Sequence, residues 1–282
     1  MQWCSCSIAF SDYREAPDLS QSSDEGPEHL DPYGAIADFY DLEHDQHRDD
    51  LALIHHLVEM VGDPVLELGC GTGRVMHQLL DLKMSLTGVD TSPAMLQRAR
   101  QRFRSAHGIE LVQADMDSTG LPSDQFGIVI VALNSLLHAT TSEKQRGILA
   151  ECFRVLDPRG LLFIDLPNPH GGAFEFPDNQ LVSEGDWSTP DGATVSKVSA
   201  RTIDRANQRV ATKLWYDVIK RDGSLKRHTT AFDLRFLYPS ELLLMLELAG
   251  FVEWQTYGTY ELDPFTDSSP RFIVTAEKTP GR

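Results

Sequence analysis

The feature that most constrains the fold is a regular alternation of short apolar runs and amphipathic stretches between residues 64 and 167. The runs are PVLELG, SLTGVD, IELVQAD, FGIVIVAL and GLLFIDLP, and helical patterns such as SPAMLQRARQRFRSA separate most of them. FGIVIVAL is apolar throughout, which is typical of a strand buried on both faces. Strands that alternate with helices predict an α/β fold, in which a doubly wound parallel sheet carries helices on both sides.

The alternation is interrupted after the fifth strand and then resumes. Residues 193–238 contain three period-two stretches, ATVSKVSARTI, QRVATKLWYDVIKR and LKRHTTAFDLRFLY, joined by the turn-prone DRAN and DG. They predict an antiparallel insertion, whose bounds we place at 171–238. The helix PSELLLMLELAG follows, and then the strands FVEWQTYGTY and RFIVTAEK. The short loop between these two strands indicates that the last one pairs antiparallel with its predecessor.

Composition narrows the choice of partner and compartment. The formal net charge of −17 over 282 residues would repel a phosphate backbone, so we expect a small molecule and no nucleic acid. The cysteines, at positions 4, 6, 70 and 152, form no paired framework and indicate reduced thiols. No run is long enough to span a membrane and the start lacks a signal-peptide pattern, which predicts a cytoplasmic protein without a membrane partner. The polar, acidic residues 1–30 predict a flexible arm before a main domain at 31–282.

The stretch VLELGCGTGR places Gly69, Gly71 and Gly73 directly after the first strand. Their missing side chains allow a sharp turn and a close approach of the backbone to a ligand. A nucleoside-triphosphate loop would need a following Lys-Ser/Thr pair, which is absent, and nicotinamide sites prefer Gly-x-Gly-x-x-Gly. Glu67 suits a pyrophosphate poorly but could attract a cationic group, directly or through water.

Acidic residues also end the next two strands. Asp90 ends the second strand, where a carboxylate can accept hydrogen bonds from both hydroxyls of a ribose. After the third strand, Asp115 could accept from an adenine amino group and Met116 could cover the ring. Considered alone, Asp115 could equally cap a turn and Met116 pack in the core. Together with the glycine loop, the three strand ends predict an adenosine-containing ligand.

Six ordered motifs carry a resemblance to a known family: VLELGCGTGRV, GVDTSPAML, QADMDSTGLP, FGIVIVALNSLLH, VLDPRGLLFIDL and YPSELLLMLELAGF. Over roughly residues 35–278 the chain resembles the class I S-adenosylmethionine-dependent methyltransferases. The resemblance implies a Rossmann-like seven-stranded sheet with an antiparallel last strand, with S-adenosyl-L-methionine as cofactor and S-adenosyl-L-homocysteine as product. It implies that the glycines line the methionine part, Asp90 the ribose, and Asp115 with Met116 the adenine. The cofactor-binding set that we assign is Glu67, Gly69, Cys70, Gly71, Gly73, Asp90, Thr91, Asp115, Met116 and Asn134.

The acceptor side is less specific. Methyl transfer from a sulfonium is an in-line displacement, so positioning can supply ~7–11 kcal/mol of the barrier reduction, and a base is needed only for a protonated acceptor. His138 follows the fourth strand, where the family often places a substrate-facing residue. His44 lies in YDLEH, which in small-molecule members forms a wall of the acceptor pocket. We predict His138 and His44 as catalytic residues, with surface or helix-capping histidines as the alternative. The substrate-contacting residues that we predict are Tyr33, Tyr40, His170, Trp187 and Tyr238, although aromatic side chains in such strands, like Trp215, also serve as ordinary packing.

A metal is not expected. The fourth strand ends in Leu133 and Asn134, and Asp165 lacks an adjacent Asn, so the carboxylate cluster of a Mg²⁺-dependent O-methyltransferase is incomplete. The insertion resembles the antiparallel roof of small-molecule members, including those acting on amino sugars. We therefore predict methyl transfer to nitrogen or oxygen of a metabolite by a monomer or homodimer. A protein or tRNA methyltransferase, and a non-catalytic S-adenosylmethionine-binding protein, stay open as alternatives, whereas the glycine spacing disfavours a nicotinamide oxidoreductase.

Overall fold

The computed structural model describes residues 31–279. The flexible arm predicted for residues 1–30 lies outside the described residues. Two sheets organise the described chain, one of seven strands and one of four. None of the described helices is both long enough and apolar enough to cross a membrane.

The seven-stranded sheet contains β1 (Val65–Leu68), β2 (Leu86–Asp90), β3 (Ile109–Gln113), β4 (Phe126–Val131), β5 (Leu156–Pro167), β10 (Glu253–Tyr257) and β11 (Arg271–Glu277). Its order is β10-β11-β5-β4-β1-β2-β3. Strands β1 to β5 pair in parallel, whereas β11 is antiparallel to both β5 and β10. The predicted α/β class and the antiparallel last strand are confirmed.

The helices of the described residues are α1 (Ala37–His44), α2 (Leu51–Val61), α3 (Arg74–Gln78), α4 (Pro93–Arg102), α5 (Ser142–Val155) and α6 (Pro239–Ala249). Helix α4 begins as its sequence predicts, with Ser92 accepting from the Met95 amide and proline in the first turn. The stretch GRVMHQLLDL does not form one continuous helix. Helix α3 ends at Gln78 with Leu79 as its C-cap, a 3₁₀ turn, Leu80–Leu82, follows, and the left-handed Lys83 (φ 56°) ends that turn before β2.

The second sheet is antiparallel, with the order β6-β7-β8-β9. Its strands are β6 (Val182–Ser188), β7 (Thr194–Asp204), β8 (Arg209–Ile219) and β9 (Leu225–Arg235). The last three match the period-two stretches of the sequence. Strand β6 was not predicted, because it is a largely exposed edge strand and Gly185 shifts its register against β7.

Strand β4 supplies both cores of the seven-stranded sheet, which explains its continuous apolar sequence. Val129 and Val131 belong to the cluster that includes α5 and α6, while Ile128 and Ile130 belong to the cluster that includes α2. All four side chains are fully buried. With β1, β2 and β4 in neighbouring parallel positions, their carboxyl ends lie at one edge of the sheet, where ligands bind in such folds.

Candidate functional site

The glycine loop after β1 needs its glycines for two reasons. Gly69, Gly71 and Gly73 have φ values of 72°, 54° and 81°, in the left-handed region that disfavours other residues. A Cβ on Gly69 would lie 2.7 Å from the Ser135 hydroxyl, and one on Gly73 would collide with the Phe103 ring. The loop therefore presents bare backbone at the end of β1 and packs tightly against the segment after β4.

Asp90 joins the end of β2 to this loop. Its Oδ2 accepts from the Gly71 amide at 2.8 Å and its Oδ1 accepts from the Ser92 amide at 2.8 Å. Burial raises the pKa of this carboxyl, and the two amide hydrogen bonds oppose that shift. Each oxygen keeps a lone pair, so the pair of oxygens can still accept from vicinal hydroxyls. The adjacent Thr91 is exposed.

Glu67 is a buried acid with an unmatched oxygen. Only 4% of the residue is exposed, and its Oε2 is buried without a hydrogen-bond partner among residues 31–279. Burial raises its pKa to about 8, although the nearby Arg74 lowers it. Arg74 itself is bound by the buried Asp50, with Nη1 2.9 Å from Oδ1. A buried unpaired acceptor beside the loop fits a ligand that brings a positive charge or a donor.

The remaining predicted cofactor residues have mixed surroundings. The Cys70 side chain lies in the core, its amide donates to the Val89 carbonyl at 3.0 Å, and its carbonyl accepts from the Gly73 amide at 2.9 Å. Met116 packs partly against the core, and its sulfur lies 3.6 Å from a Cβ position on Gly69. Asp115 is exposed in a turn whose Ser118 amide donates to the Asp115 carbonyl at 3.2 Å. Their adenine-binding roles stay predictions.

Tyr33 and His138 form a hydrogen-bonded pair near the glycine loop. The Tyr33 hydroxyl lies 2.9 Å from His138 Nε2. Burial lowers the pKa of His138 to about 4 and raises the pKa of Tyr33 well above its ordinary value. Phe232 of β9 completes the cluster, with ring centroids 5.7 Å from Tyr33 and 5.5 Å from His138. At neutral pH this is a pair of uncharged polar groups between aromatic rings.

Tyr40 and His44 of α1 lie next to that pair. Their rings stack at 4.0 Å with an angle of 8°, and Tyr40 meets Tyr33 edge to face at 6.1 Å. The pKa of His44 is lowered, mainly by burial. Tyr40 also lies 3.9 Å from a Cβ position on Gly71. The structure thus brings four predicted acceptor-side residues together above the glycine loop.

Helix α1 is held in this place by contacts that the sequence did not predict. Asp41 accepts from the Thr72 hydroxyl in the glycine loop at 2.6 Å. On the other side, Glu43 binds Lys197 of β7 at 2.6 Å and accepts from the Tyr216 hydroxyl of β8 at 3.0 Å. Lys197 is only 7% exposed. In a period-two strand, Lys197 lies on the same face as the buried Val195 and Ser199. That position was the sequence signal that this lysine is buried and needs a partner.

Three predicted substrate residues pack with parts of the chain other than the Tyr33–His138 pair. His170 packs with Tyr238 at 5.5 Å, and Tyr238 meets Phe236 at 5.7 Å. Trp187 is half-buried on the edge strand β6, with its ring against Gly185. The aromatic contacts of the described residues join none of these three to His138. Their substrate roles stay predictions.

A buried network surrounds Asn134 and was missed from the sequence. Arg271 of β11 donates to Asn134 Oδ1 at 2.9 Å and to Asp165 Oδ1 at 2.7 Å. Tyr260 donates to Asp165 Oδ2 at 3.0 Å. Asp165 is fully buried within an apolar strand. A buried carboxylate requires such partners. The acid within the apolar stretch FIDL therefore indicated that a partner exists, but the sequence did not indicate which residue it is.

The acidic segment 41–50 is bound to arginines. Arg102 reaches Asp41 at 3.0 Å and Asp45 at 2.9 Å, and Arg98 reaches Asp41 at 2.8 Å. Among residues 31–279, no three His, Cys, Asp or Glu side chains are grouped so as to hold a metal ion. The expectation of no metal stays a prediction.

Two cavities lie away from this arrangement. One cavity has a volume of about 670 Å³ and is lined by residues that include Lys83 and His107. These residues precede β2 and β3, so this cavity lies at the amino end of the parallel strands. The other, of about 400 Å³, lies between α5 and α6 and is lined by Arg146 and Met245 among others. Neither is lined by a predicted site residue.

Comparison with known proteins agrees with the geometry. A family model described as a methyltransferase domain matches residues 65–160, the segment that holds the glycine loop, Asp90 and His138. YqeM of Bacillus subtilis (strain 168), a methyltransferase by name, is 33% identical over 121 residues, which are 43% of this chain and 49% of that protein. The match thus spans about half the length of that relative.

Two further relatives cover more of the chain. The cypemycin N-terminal methyltransferase of Streptomyces sp is 26% identical over 219 residues, 77% of this chain and 84% of that protein. The structure of the CcbJ methyltransferase from Streptomyces caelestis superposes with a TM-score of 0.72 at 26% identity, over 88% of this chain and 98% of that one. Both likenesses therefore extend over more than three quarters of this chain.

Proposed function

We propose that this chain is an S-adenosylmethionine-dependent methyltransferase and that it methylates a nitrogen or oxygen atom of a small metabolite. The match of residues 65–160 to a methyltransferase domain supports the first part. The observation that carries the proposal is the uncharged Tyr33–His138 pair, which lies above the glycine loop between α1 and β9. Such a pair can hold and pass one proton beside the place where the cofactor is expected.

The residues of the glycine loop and the adjoining strand ends would hold the cofactor. When bound, S-adenosylmethionine supplies a methyl group on a cationic sulfur. The bare backbone at Gly69 allows a close approach, the Asp90 carboxylate suits the ribose hydroxyls, and the unmatched Glu67 Oε2 suits a positive charge. The aromatic side chains of α1 cover this edge of the sheet. A site with little water does not oppose the loss of positive charge from sulfur during transfer.

The pair has a defined proton-handling role. In the tautomer of His138 that carries its proton on Nδ1, the Tyr33 hydroxyl donates to Nε2 and keeps a lone pair on Oη, which can accept a hydrogen bond from the N–H or O–H of the acceptor. When the acceptor atom is oxygen, the proton that it releases passes to Tyr33 Oη while the Tyr33 proton passes to Nε2. When the acceptor is a neutral amine, the product forms as an ammonium ion and carries its proton to solvent. An imidazole with a pKa of about 4 is too weak to take a proton from an alkylammonium ion. The acceptor therefore binds as a neutral amine or as a hydroxyl.

The size of the acceptor follows from the surroundings of the pair. His138 is enclosed by the rings of Tyr33 and Phe232, and the fixed helix α1 closes the side next to the loop. An enclosed aromatic site suits a metabolite better than an RNA duplex, which the net charge of −17 also disfavours. A relative named for methylation of an N-terminus supports nitrogen as the atom to test first.

The test combines labelled S-adenosylmethionine with fractionated small molecules, protein and RNA. We expect label in a small-molecule fraction. Where the label is found on oxygen, His138→Ala should lower kcat at least ~100-fold, the usual scale of a lost proton acceptor, with an unchanged Kd for S-adenosylhomocysteine. His55→Ala, at the surface of α2, is the matched control. Label confined to protein or RNA, or binding without any transfer, would refute the proposal.

A further inference from the structure

The turn after β4 holds two consecutive non-glycine residues in the left-handed region. Leu133 has φ 45° and Asn134 has φ 68°. This conformation costs roughly 1–2 kcal/mol per residue and persists only where the surroundings fix it. Here the backbone N–H of Asn134 donates to the Asp165 carbonyl at 3.1 Å. The side-chain oxygen of Asn134 accepts from Arg271 at 2.9 Å.

Arg271 is fixed in its turn. Its guanidinium bonds Asp165 Oδ1 through Nε at 2.7 Å and through Nη2 at 2.6 Å, while Tyr260 occupies Oδ2. Because Asp165 has no exposed surface, moving the arginine away would leave a buried charge unpaired. The orientation of the Asn134 amide is therefore set by β5 and β11, not by the turn itself.

This orientation decides what Asn134 can bind. Its Oδ1 faces Arg271, and its Nδ2 has no hydrogen bond within residues 31–279, so the side chain presents its donors on the side away from Arg271. Ser135, the next residue, lies 2.7 Å from a Cβ position on Gly69, so the turn lies against the glycine loop. The nearby guanidinium groups of Arg74 and Arg271 are bound to Asp50 and Asp165. Asn134 Nδ2 is thus an uncommitted donor at this loop, suited to an oxygen atom and not to an ammonium group.

We propose that Arg271 is a positioning residue that commits Asn134 to donate hydrogen bonds to the carboxylate at the amino-acid end of the bound cofactor. The inference rests on the proposed function, since it requires S-adenosylmethionine at the glycine loop. Without Arg271 the amide is free to turn over, and its oxygen would then face the carboxylate and repel it.

The test compares two ligands by titration calorimetry. S-adenosylhomocysteine carries the amino-acid end, and 5′-methylthioadenosine lacks it. Asn134→Asp keeps an acceptor for Arg271 but replaces the donor with an oxygen. The double variant Arg271→Met with Asp165→Asn removes the charge pair as a unit, so that no buried charge is left alone. Both should bind S-adenosylhomocysteine about tenfold to a hundredfold more weakly, the scale of one hydrogen bond to a charged group, and 5′-methylthioadenosine within about twofold of wild type.

The control is Arg154→Met, which removes an arginine bound to Glu151 at the end of α5. It should change neither affinity. Equal weakening of both ligands in the test variants would mean that the network only supports the fold, and unchanged S-adenosylhomocysteine binding would mean that Asn134 does not meet the carboxylate. Either result overturns the inference. Failure of the wild-type protein to bind either ligand would overturn the proposed function instead.

Discussion

Replacing Glu67 with glutamine should stabilise the free protein and weaken the ligand. The buried carboxyl has a pKa of about 8 in place of its ordinary 4.5. As pH rises above 4.5 the unfolded chain loses this proton first, so each pH unit up to 8 costs the folded state about 1.4 kcal/mol. At pH 7 the accumulated cost is about 3 kcal/mol. Glu67→Gln has nearly the same volume and does not titrate, so its advantage should be near zero at pH 4.5 and largest above pH 8.

Urea unfolding of the ligand-free protein at pH 5 and pH 7 measures this difference. The control is Glu110→Gln, which changes an exposed side chain on β3. A ligand that places a positive group beside Glu67, such as the ammonium of its amino-acid end, should in turn favour the ionised carboxyl. With a pKa of about 8, the carboxyl is protonated in about nine-tenths of wild-type molecules at pH 7. Binding of S-adenosylhomocysteine should therefore release close to one proton in wild type and less in Glu67→Gln, as calorimetry in two buffers would record. A stability difference that does not change with pH would refute this account of Glu67.

Two substitutions test the supports of the loop by urea unfolding. Gly73→Ala should lose more stability than Gly223→Ala, because both positions have nearly the same φ, 81° and 83°, but only the first Cβ would collide with a ring, that of Phe103; equal losses would contradict the packing described. Asp50→Asn leaves the buried Arg74 without its charge partner and should lose about 3–5 kcal/mol; a loss below ~1 kcal/mol would place this pair with exposed ion pairs.

Most of the fold could be predicted because its signals are local. A strand such as β4, buried on both faces, has to be apolar throughout, and period-two strands such as β7 and β8 show their buried face in every second residue. Strand β6 lacked that signal, since most of its side chains are exposed and a bulge at Gly185 breaks its pairing. The end of α3 was also missed, because its C-cap is Leu79 and no glycine or proline marks the position.

The site residues could likewise be predicted only where the sequence carries a local signal. Gly69 and Asp90 could be identified because each directly follows or ends a predicted parallel strand, so sequence position gave spatial position. Arg271 could not, because it meets Asp165 across 106 residues of sequence and through an antiparallel pairing. The Tyr33–His138 contact spans 105 residues, and only the family resemblance placed either residue near the acceptor. Long-range side-chain partners depend on how separate elements pack, which no local pattern encodes.

Helix α1 also has a kinetic consequence. It is fastened on one side to the glycine loop through Asp41 and Thr72, and on the other to β7 through Glu43 and Lys197. Tyr40 lies 3.9 Å from a Cβ position on Gly71, so the helix covers that part of the loop. Lifting the helix would break charged contacts on both sides together. If the cofactor binds at this loop, we expect its exchange to require that opening, so that weakening either set of contacts should speed cofactor release.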